Sequence, residues 1–102
     1  IGRLIAQLST LRQMSLSVAG MLSDGKVPEV EAAVVKEMGT SWEQALPGVA
    51  RNLVPDIIGE AGGREHLEAL IHQATLFAPK LTIQGGTREI LRGIIARGLG
   101  LR

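Results

Sequence analysis

The stretch IGRLIAQLSTLRQMSLSVAGML, residues 1–22, places its apolar side chains three and four residues apart in alternation, and only Ser15 breaks the series. These apolar positions are Ile1, Leu4, Leu8, Leu11, Val18 and Leu22. This spacing predicts an amphipathic helix whose apolar face packs against neighbours in a bundle. Gly25 is a natural left-handed cap, so we expect the helix to end at residues 23–25.

A second helix is expected to begin at Pro28, because a proline in the first turn costs no hydrogen bond. The pair Pro47-Gly48 predicts a kink or an interruption, since a proline ring clashes with the preceding helical turn. We expect the helical pattern to break at Pro55. Residues 56–63 are rich in glycine and are predicted to form a loop with at most one helical turn.

Two shorter helices follow. The third is predicted from about Arg64 to Phe77, and residues 80–84 after it are expected to be extended or irregular. The last is predicted from Thr87 to Arg97, and the glycines after it would fray its end. Four helical segments with short connections favour an all-α fold, an up-down four-helix bundle, formed by residues 1–102 as a single domain.

The composition limits the classes of function. Aromatic residues make up 2% of the chain, which favours a helical core of aliphatic side chains over a sheet sandwich. The net charge is +1 with interspersed signs, so the basic surface of a nucleic-acid-binding protein is not expected. The chain has no cysteine and no apolar run of about 18 residues, so we expect a cytoplasmic protein without a membrane span. A helical pattern that is already under way at Ile1 suggests a piece of a longer chain.

One glycine turn stands out as a candidate binding site. Gly85, Gly86 and Thr87 lie immediately before the last predicted helix, where backbone amides, a hydroxyl and the helix dipole coincide. Such a position can hold a phosphate. It is equally typical of an ordinary turn in which Thr87 is the N-cap, and the residues alone favour that reading.

The sequence gives little support for a metal site or for nucleophilic catalysis. His66 and His72 are six residues apart and do not share a helix face, so no metal site is expected. No serine, histidine and carboxylate combination indicates a nucleophile, and we assign no catalytic residue. The carboxylates of the second helix, and the arginines with Glu89 on the last one, are interpreted as solvated faces.

The end of the chain, LTIQGGTREILRGIIARGLGLR at residues 81–102, resembles the carboxy terminus of acyl-CoA dehydrogenases. In that family a Gly-Thr-x-Glu-Ile-x-Arg core precedes the closing helix, and many bacterial members end in a similar Gly-Leu-Gly-Leu tail. The stretch KEMGTSWEQ, residues 36–44, is similar to a middle helix of the bacterial branch.

This resemblance implies the helical carboxy-terminal domain of an enzyme that uses flavin adenine dinucleotide (FAD) to oxidise an acyl-CoA thioester to the trans-2-enoyl form. It implies FAD contacts at Thr87 and Glu89, and Gly86 would permit close approach of the cofactor. It also implies a homo- or hetero-oligomer, for which this domain supplies part of the subunit interface.

The chain departs from the family pattern at two places. Many members have a catalytic glutamate directly before the Gly-Thr pair, and that position is Gly85 here. We therefore expect the proton acceptor to lie outside this chain. A Gln-x-x-Gly-Gly cofactor segment has no glutamine in register near residues 59–63. The alternatives are a helical interaction module without a flavin role and a degenerate, non-catalytic partner subunit.

Overall fold

The computed structural model describes residues 1–57 and 63–101. It contains four α-helices, which are α1 (Gly2–Ser23), α2 (Glu29–Ile57), α3 (Gly63–Phe77) and α4 (Arg88–Gly98), and a short 3-10 helix at Ala78–Thr82. No strand occurs within the described ranges. The predicted all-α fold with four helices is therefore confirmed.

Helices α1 and α4 end in the same way. Gly25 (φ 74°) and Gly100 (φ 75°) adopt left-handed backbone conformations. The amide after each glycine donates to the carbonyl oxygen five residues earlier, at 2.9 Å in both helices. This pattern is the Schellman motif, which satisfies carbonyl groups that a helix end leaves free. The predicted end of α1 is confirmed, whereas α4 is closed by Gly100 instead of being frayed.

Helix α2 differs from its prediction because it is uninterrupted. It runs from Glu29 to Ile57 and passes through both Pro47 and Pro55, where a break was expected. Pro47 is buried, and its side chain lines the groove between α2 and α3. A proline inside a helix removes one hydrogen bond. We infer that burial of Pro47 beside α3 offsets this loss.

Residues 78–82, most of which were expected to be extended or irregular, form the 3-10 helix. Pro79 lies at its start, where the absence of an amide proton costs nothing. The 3-10 helix therefore follows α3 directly and ends at Thr82, before the glycine turn begins.

The packed face of α1 is rotated relative to the predicted one. Leu4, Leu11 and Val18 are half-buried, as expected. Three other predicted positions lie in solvent, with exposed fractions of 50% to 66%; these are Ile1, Leu8 and Leu22. The half-buried Met14 and Met21 take their place beside α2. Methionine is flexible enough to fill such irregular contacts, which a simple apolar period does not reveal.

Helix α2 forms the centre of the molecule, and each of the other three α-helices packs on it. The indole Nε1 of Trp42 donates to the carbonyl oxygen of Leu4 at 3.3 Å, while Val18 lies beside Val30 at the other end of the pair. The contacts thus run in opposite order along the two helices, so α1 is antiparallel to α2.

Helices α3 and α4 cover successive halves of α2. The guanidinium of Arg51 donates to the Thr75 hydroxyl at 3.2 Å, and the Gln44 amide donates to the Ala78 carbonyl at 2.9 Å. Further towards the start of α2, Gly98 approaches Val30. Both helices are therefore antiparallel to α2, and they follow one another along its length. The connection between them crosses the middle of α2.

Candidate binding site at the start of the last helix

The connection between α3 and α4 contains the glycine turn that the sequence singled out. Gly85 has a φ of 75° and Gly86 a φ of 109°, and both angles are strained for any residue with a side chain. A Cβ atom added to Gly86 would lie 3.5 Å from Leu91 Cδ2, which is an ordinary contact. The backbone angle, and not lack of space, therefore requires glycine at this position.

Thr87 is the N-cap residue of α4, as predicted. Its backbone is extended (φ −72°, ψ 159°), and its Oγ1 accepts a hydrogen bond from the Ile90 amide at 3.4 Å. The amides of the first helical turn have no carbonyl partner within a helix, and they point outward from its start. Thr87 thus lies among several donors, and it is partly accessible.

Glu89 lies in the first turn of α4 and is exposed. Its own backbone amide, followed by the Thr87 hydroxyl, donates to the carboxylate and lowers the pKa of Glu89 below the ordinary value of 4.5. Desolvation opposes these hydrogen bonds and raises the pKa, while the nearby positive charges of Arg92 and Arg88 make smaller contributions that lower it. The carboxylate is therefore ionised at neutral pH and close to the glycine turn.

A lysine of α2 lies under the same turn. A Cβ atom added to Gly85 would be 3.4 Å from Lys36 Cε. The Lys36 ammonium donates to the Thr40 hydroxyl at 2.9 Å, and Thr40 is only 4% exposed. Gly85 thus occupies the position at which many acyl-CoA dehydrogenases have a glutamate. In this chain the glycine lies beside the Lys36 side chain.

Helices α2 and α4 are joined by an ionic cluster around Glu37. Its Oε1 atom lies 3.1 Å from Arg88 Nε and 3.2 Å from Arg92 Nη2, and Arg92 Nε donates to it at 3.2 Å. The Arg88 N–H does not point at this oxygen, so their contact is ionic and not a hydrogen bond. The other oxygen, Glu37 Oε2, is buried with no hydrogen-bond partner in the described structure.

Arg88 also reaches two polar side chains of α2. Its Nη2 atom donates to Ser41 Oγ at 3.0 Å and to Gln44 Oε1 at 3.2 Å. The same Gln44 side chain uses its Nε2 atom to donate to the Ala78 carbonyl oxygen. One amide side chain therefore contacts the chain on both sides of the glycine turn.

The structure brings together all three residues expected to contact a cofactor, Gly86, Thr87 and Glu89, within one turn of the chain. Sequence reasoning missed the polar cluster beneath them. Its members on α2 follow helical spacing, with Glu37, Ser41 and Gln44 four and three residues apart. This pattern indicates a polar stripe, and the expectation that Glu37 and Arg88 belong to solvated faces is wrong.

Two other expectations concern regions away from this turn. The cofactor segment considered near residues 59–63 lies almost entirely outside the described residues. Among residues 1–57 and 63–101, no three potential metal ligands come together. No helix in this part of the chain is long and apolar enough to cross a membrane.

The chain matches a known protein family over almost its whole length. Residues 1–100 match a family model described as "Acyl-CoA dehydrogenase, C-terminal domain". No curated protein and no solved structure gives a significant match to the chain. The family match covers nearly the whole chain, so it includes the glycine turn, α2 beneath it and all of α1.

Proposed function

Because the chain belongs to the acyl-CoA dehydrogenase C-terminal domain family, we propose that it is the helical domain of a cytoplasmic, FAD-dependent acyl-CoA dehydrogenase. In this proposal residues 1–102 act as one domain of a larger enzyme that oxidises an acyl-CoA thioester to its trans-2-enoyl form. The domain contributes FAD contacts at Gly86, Thr87 and Glu89 and part of a subunit interface.

The observation that carries the proposal is the chemistry of the turn at the start of α4. The Thr87 hydroxyl and the first amides of α4 are donors that Glu89 and Thr87 accept from within the turn, and in our proposal they turn to the phosphate oxygens of FAD when the cofactor binds. The ionised Glu89 carboxylate is an acceptor that suits sugar hydroxyl groups and not phosphates. Gly86 lacks a side chain and leaves the backbone open to close approach. The residues present therefore fit a ligand that has both phosphates and hydroxyls.

When bound, FAD would supply the acceptor for the hydride that leaves the β-carbon of the thioester. The residues of this chain bind and orient in our proposal, and none of them takes the α-proton. Gly85 cannot act as a base, and the Lys36 ammonium that faces it is a cation. We place the proton acceptor in a part of the enzyme outside these residues.

The test is FAD retention by the full-length enzyme that contains this domain. Thr87→Ala and Glu89→Ala are each expected to raise the FAD dissociation constant by about tenfold, since each removes one or two hydrogen bonds to the ligand. Thr10→Ala and Glu65→Ala are matched controls, because both residues are exposed on other helices. Equal FAD affinity in the site variants and controls would contradict the proposed contacts.

Anaerobic titration of the full-length enzyme with acyl-CoA thioesters tests the reaction itself. Bleaching of the flavin absorbance is expected, and the base would then lie outside this chain. Bound flavin that no thioester bleaches would favour a degenerate partner subunit instead.

A second candidate, a non-catalytic helical interaction module, is favoured by the exposed apolar surface. An apolar groove of about 590 Å³ between α2 and α3 ends at Lys80 and Gln84. Many large apolar side chains of α1 are also exposed. Such a module would bind its partner without any flavin. The interaction module is therefore favoured if the full-length protein purifies without flavin and does not take up added FAD.

A further inference from the structure

We propose that Gln44 is a positioning residue that fixes the glycine turn in its binding conformation by holding the chain on both sides of it. This inference rests on the proposed function, because it assigns to Gln44 a role in the affinity of that site for FAD. Gln44 lies on α2 and is not part of the turn itself.

The geometry of the Gln44 side chain supports this role. Its Nε2 atom donates to the Ala78 carbonyl oxygen at 2.9 Å, and its Oε1 atom accepts from Arg88 Nη2 at 3.2 Å. Both contacts are partly buried. Ala78 begins the 3-10 helix and Arg88 begins α4, so the two contacts bracket residues 79–87.

Bracketing matters because the enclosed segment is intrinsically variable. Gly85 and Gly86 can adopt many backbone conformations, and holding both in one conformation costs entropy. A side chain that fixes the ends of the segment restricts those conformations before a ligand binds, and preorganisation of this kind raises affinity. Within the described residues, no hydrogen bond joins the Gln44 side chain to Thr87 or Glu89. Gln44 would therefore affect FAD affinity through the backbone of the turn.

The arginine end of the bracket is itself held in place. Arg88 also donates to Ser41 and lies against the Glu37 carboxylate. Its guanidinium is therefore oriented by α2 at several points, and the Gln44 contact joins the beginning of α4 to the end of α3. Without Gln44, Arg88 would still be attached to α2, whereas the Ala78 carbonyl would lose this donor.

The experiment uses Gln44→Met in the full-length enzyme, because methionine has a similar shape and no hydrogen-bonding amide. Gln73→Met, on the exposed side of α3, is the matched control. Gln44→Glu is a second, milder variant that keeps the acceptor for Arg88 but cannot donate to Ala78. The measurements are amide hydrogen exchange, the FAD dissociation constant and the thermal unfolding temperature of the FAD-free protein.

For both Gln44 variants we expect faster exchange at the hydrogen-bonded amides of Ile83 and Leu91, on either side of the turn, and for Gln44→Met about a tenfold higher FAD dissociation constant. The unfolding temperature of the FAD-free protein should change little relative to the control. A lower unfolding temperature with unchanged FAD affinity would overturn the inference, because that is the result of a purely structural contact.

Hydrogen exchange separates failure of this inference from failure of the proposed function. If the unaltered enzyme binds no FAD, the proposed function fails and the affinity role of Gln44 fails with it, while exchange at the amides of Ile83 and Leu91 still shows whether Gln44 holds the turn. If the enzyme binds FAD but neither Gln44 variant alters exchange at those amides, only the inference about Gln44 is overturned.

Discussion

At Glu89, two donors from the chain itself meet one exposed carboxylate, and the result is a pH-dependent contribution to stability. The pKa of Glu89 is lower in the folded chain than its ordinary value of 4.5. The ionised form therefore stabilises the folded state. This contribution is complete above pH 4.5 and is lost as the pH falls through the lowered, folded-state pKa.

Replacement of Glu89 by glutamine removes this titration. We expect the unaltered chain to be more stable than Glu89→Gln at pH 7, and the difference to be nearly constant down to about pH 5. Below pH 4.5 the difference should shrink towards the value for two neutral side chains. Urea unfolding of both proteins between pH 3 and pH 7 measures this difference in the free energy of unfolding. A difference that grows on acidification would contradict the lowered pKa.

At the scale of elements, the contact of α4 with α2 depends on Gly98. A Cβ atom added there would lie 2.2 Å from Val30 Cγ2, which no real pair of atoms allows, and 3.3 Å from Val30 Cβ, which is tight. Valine is stiff and branched, so one of the two helices would have to move. Gly98 therefore sets how closely the end of α4 approaches the start of α2.

We expect Gly98→Ala to lower the free energy of unfolding by about 1 to 3 kcal/mol, as overpacked sites do. In a Val30→Ala background the same change should cost clearly less, because the clashing methyl groups are gone. Gly93→Ala is the control in the same helix. Nothing lies within 4 Å of its added Cβ atom, so it should stabilise the chain by roughly 0.5 to 1 kcal/mol. Additive effects of Val30→Ala and Gly98→Ala in urea unfolding would rule out this contact.

Local signals explain which elements the sequence predicts. The cap at Gly25 and the N-cap at Thr87 depend on residues within a few positions of each other, and both were predictable. The unbroken α2 was not, because the helix survives Pro47 through packing on α3. The ionic cluster was also missed, since Glu37 and Arg88 are brought together only when α4 docks on α2. The spacing of Glu37, Ser41 and Gln44 indicates a polar stripe on α2, but it does not show which residues of α4 lie against that stripe.

The molecule as a whole exposes more surface than a compact protein of its size. Its accessible surface is 7435 Å², whereas a compact monomer of 10.8 kDa would have about 5,500 Å². The radius of gyration is 17.1 Å, against about 13 Å for a compact chain of 100 residues. Few side chains are fully buried, because three helices lie along one central helix instead of enclosing a core.

Helix α1 carries much of this exposed surface. Ile5, Leu8 and Leu16 are each at least half exposed, and they share one side of the helix with Ile1 and Leu22. The centre of this side lies about a third of a turn from the centre of the face that packs on α2. An apolar stripe of this length is typical of a surface that another protein covers.

We therefore expect the isolated chain to self-associate in solution. Leu16→Lys should shift the population towards the monomer, because it places a charge within the apolar stripe. Gln13→Lys adds the same charge on the other side of α1 and should leave the association unchanged. Sedimentation velocity over a range of concentrations measures both. A compact monomer at all concentrations would exclude this stripe as a self-association surface.

The end-to-end arrangement of α3 and α4 along α2 also has an evolutionary consequence. The glycine turn bridges two helices that are separately anchored to the same partner, so the strain that a side chain at Gly85 or Gly86 introduces stays within the turn and leaves the packing of either helix in place. Selection can then add or remove a reactive side chain at position 85 while the scaffold stays constant. Descendants of a single ancestor can thus exchange a catalytic glutamate for glycine, and back, at a cost of about 1 to 2 kcal/mol for the left-handed backbone and without loss of the fold.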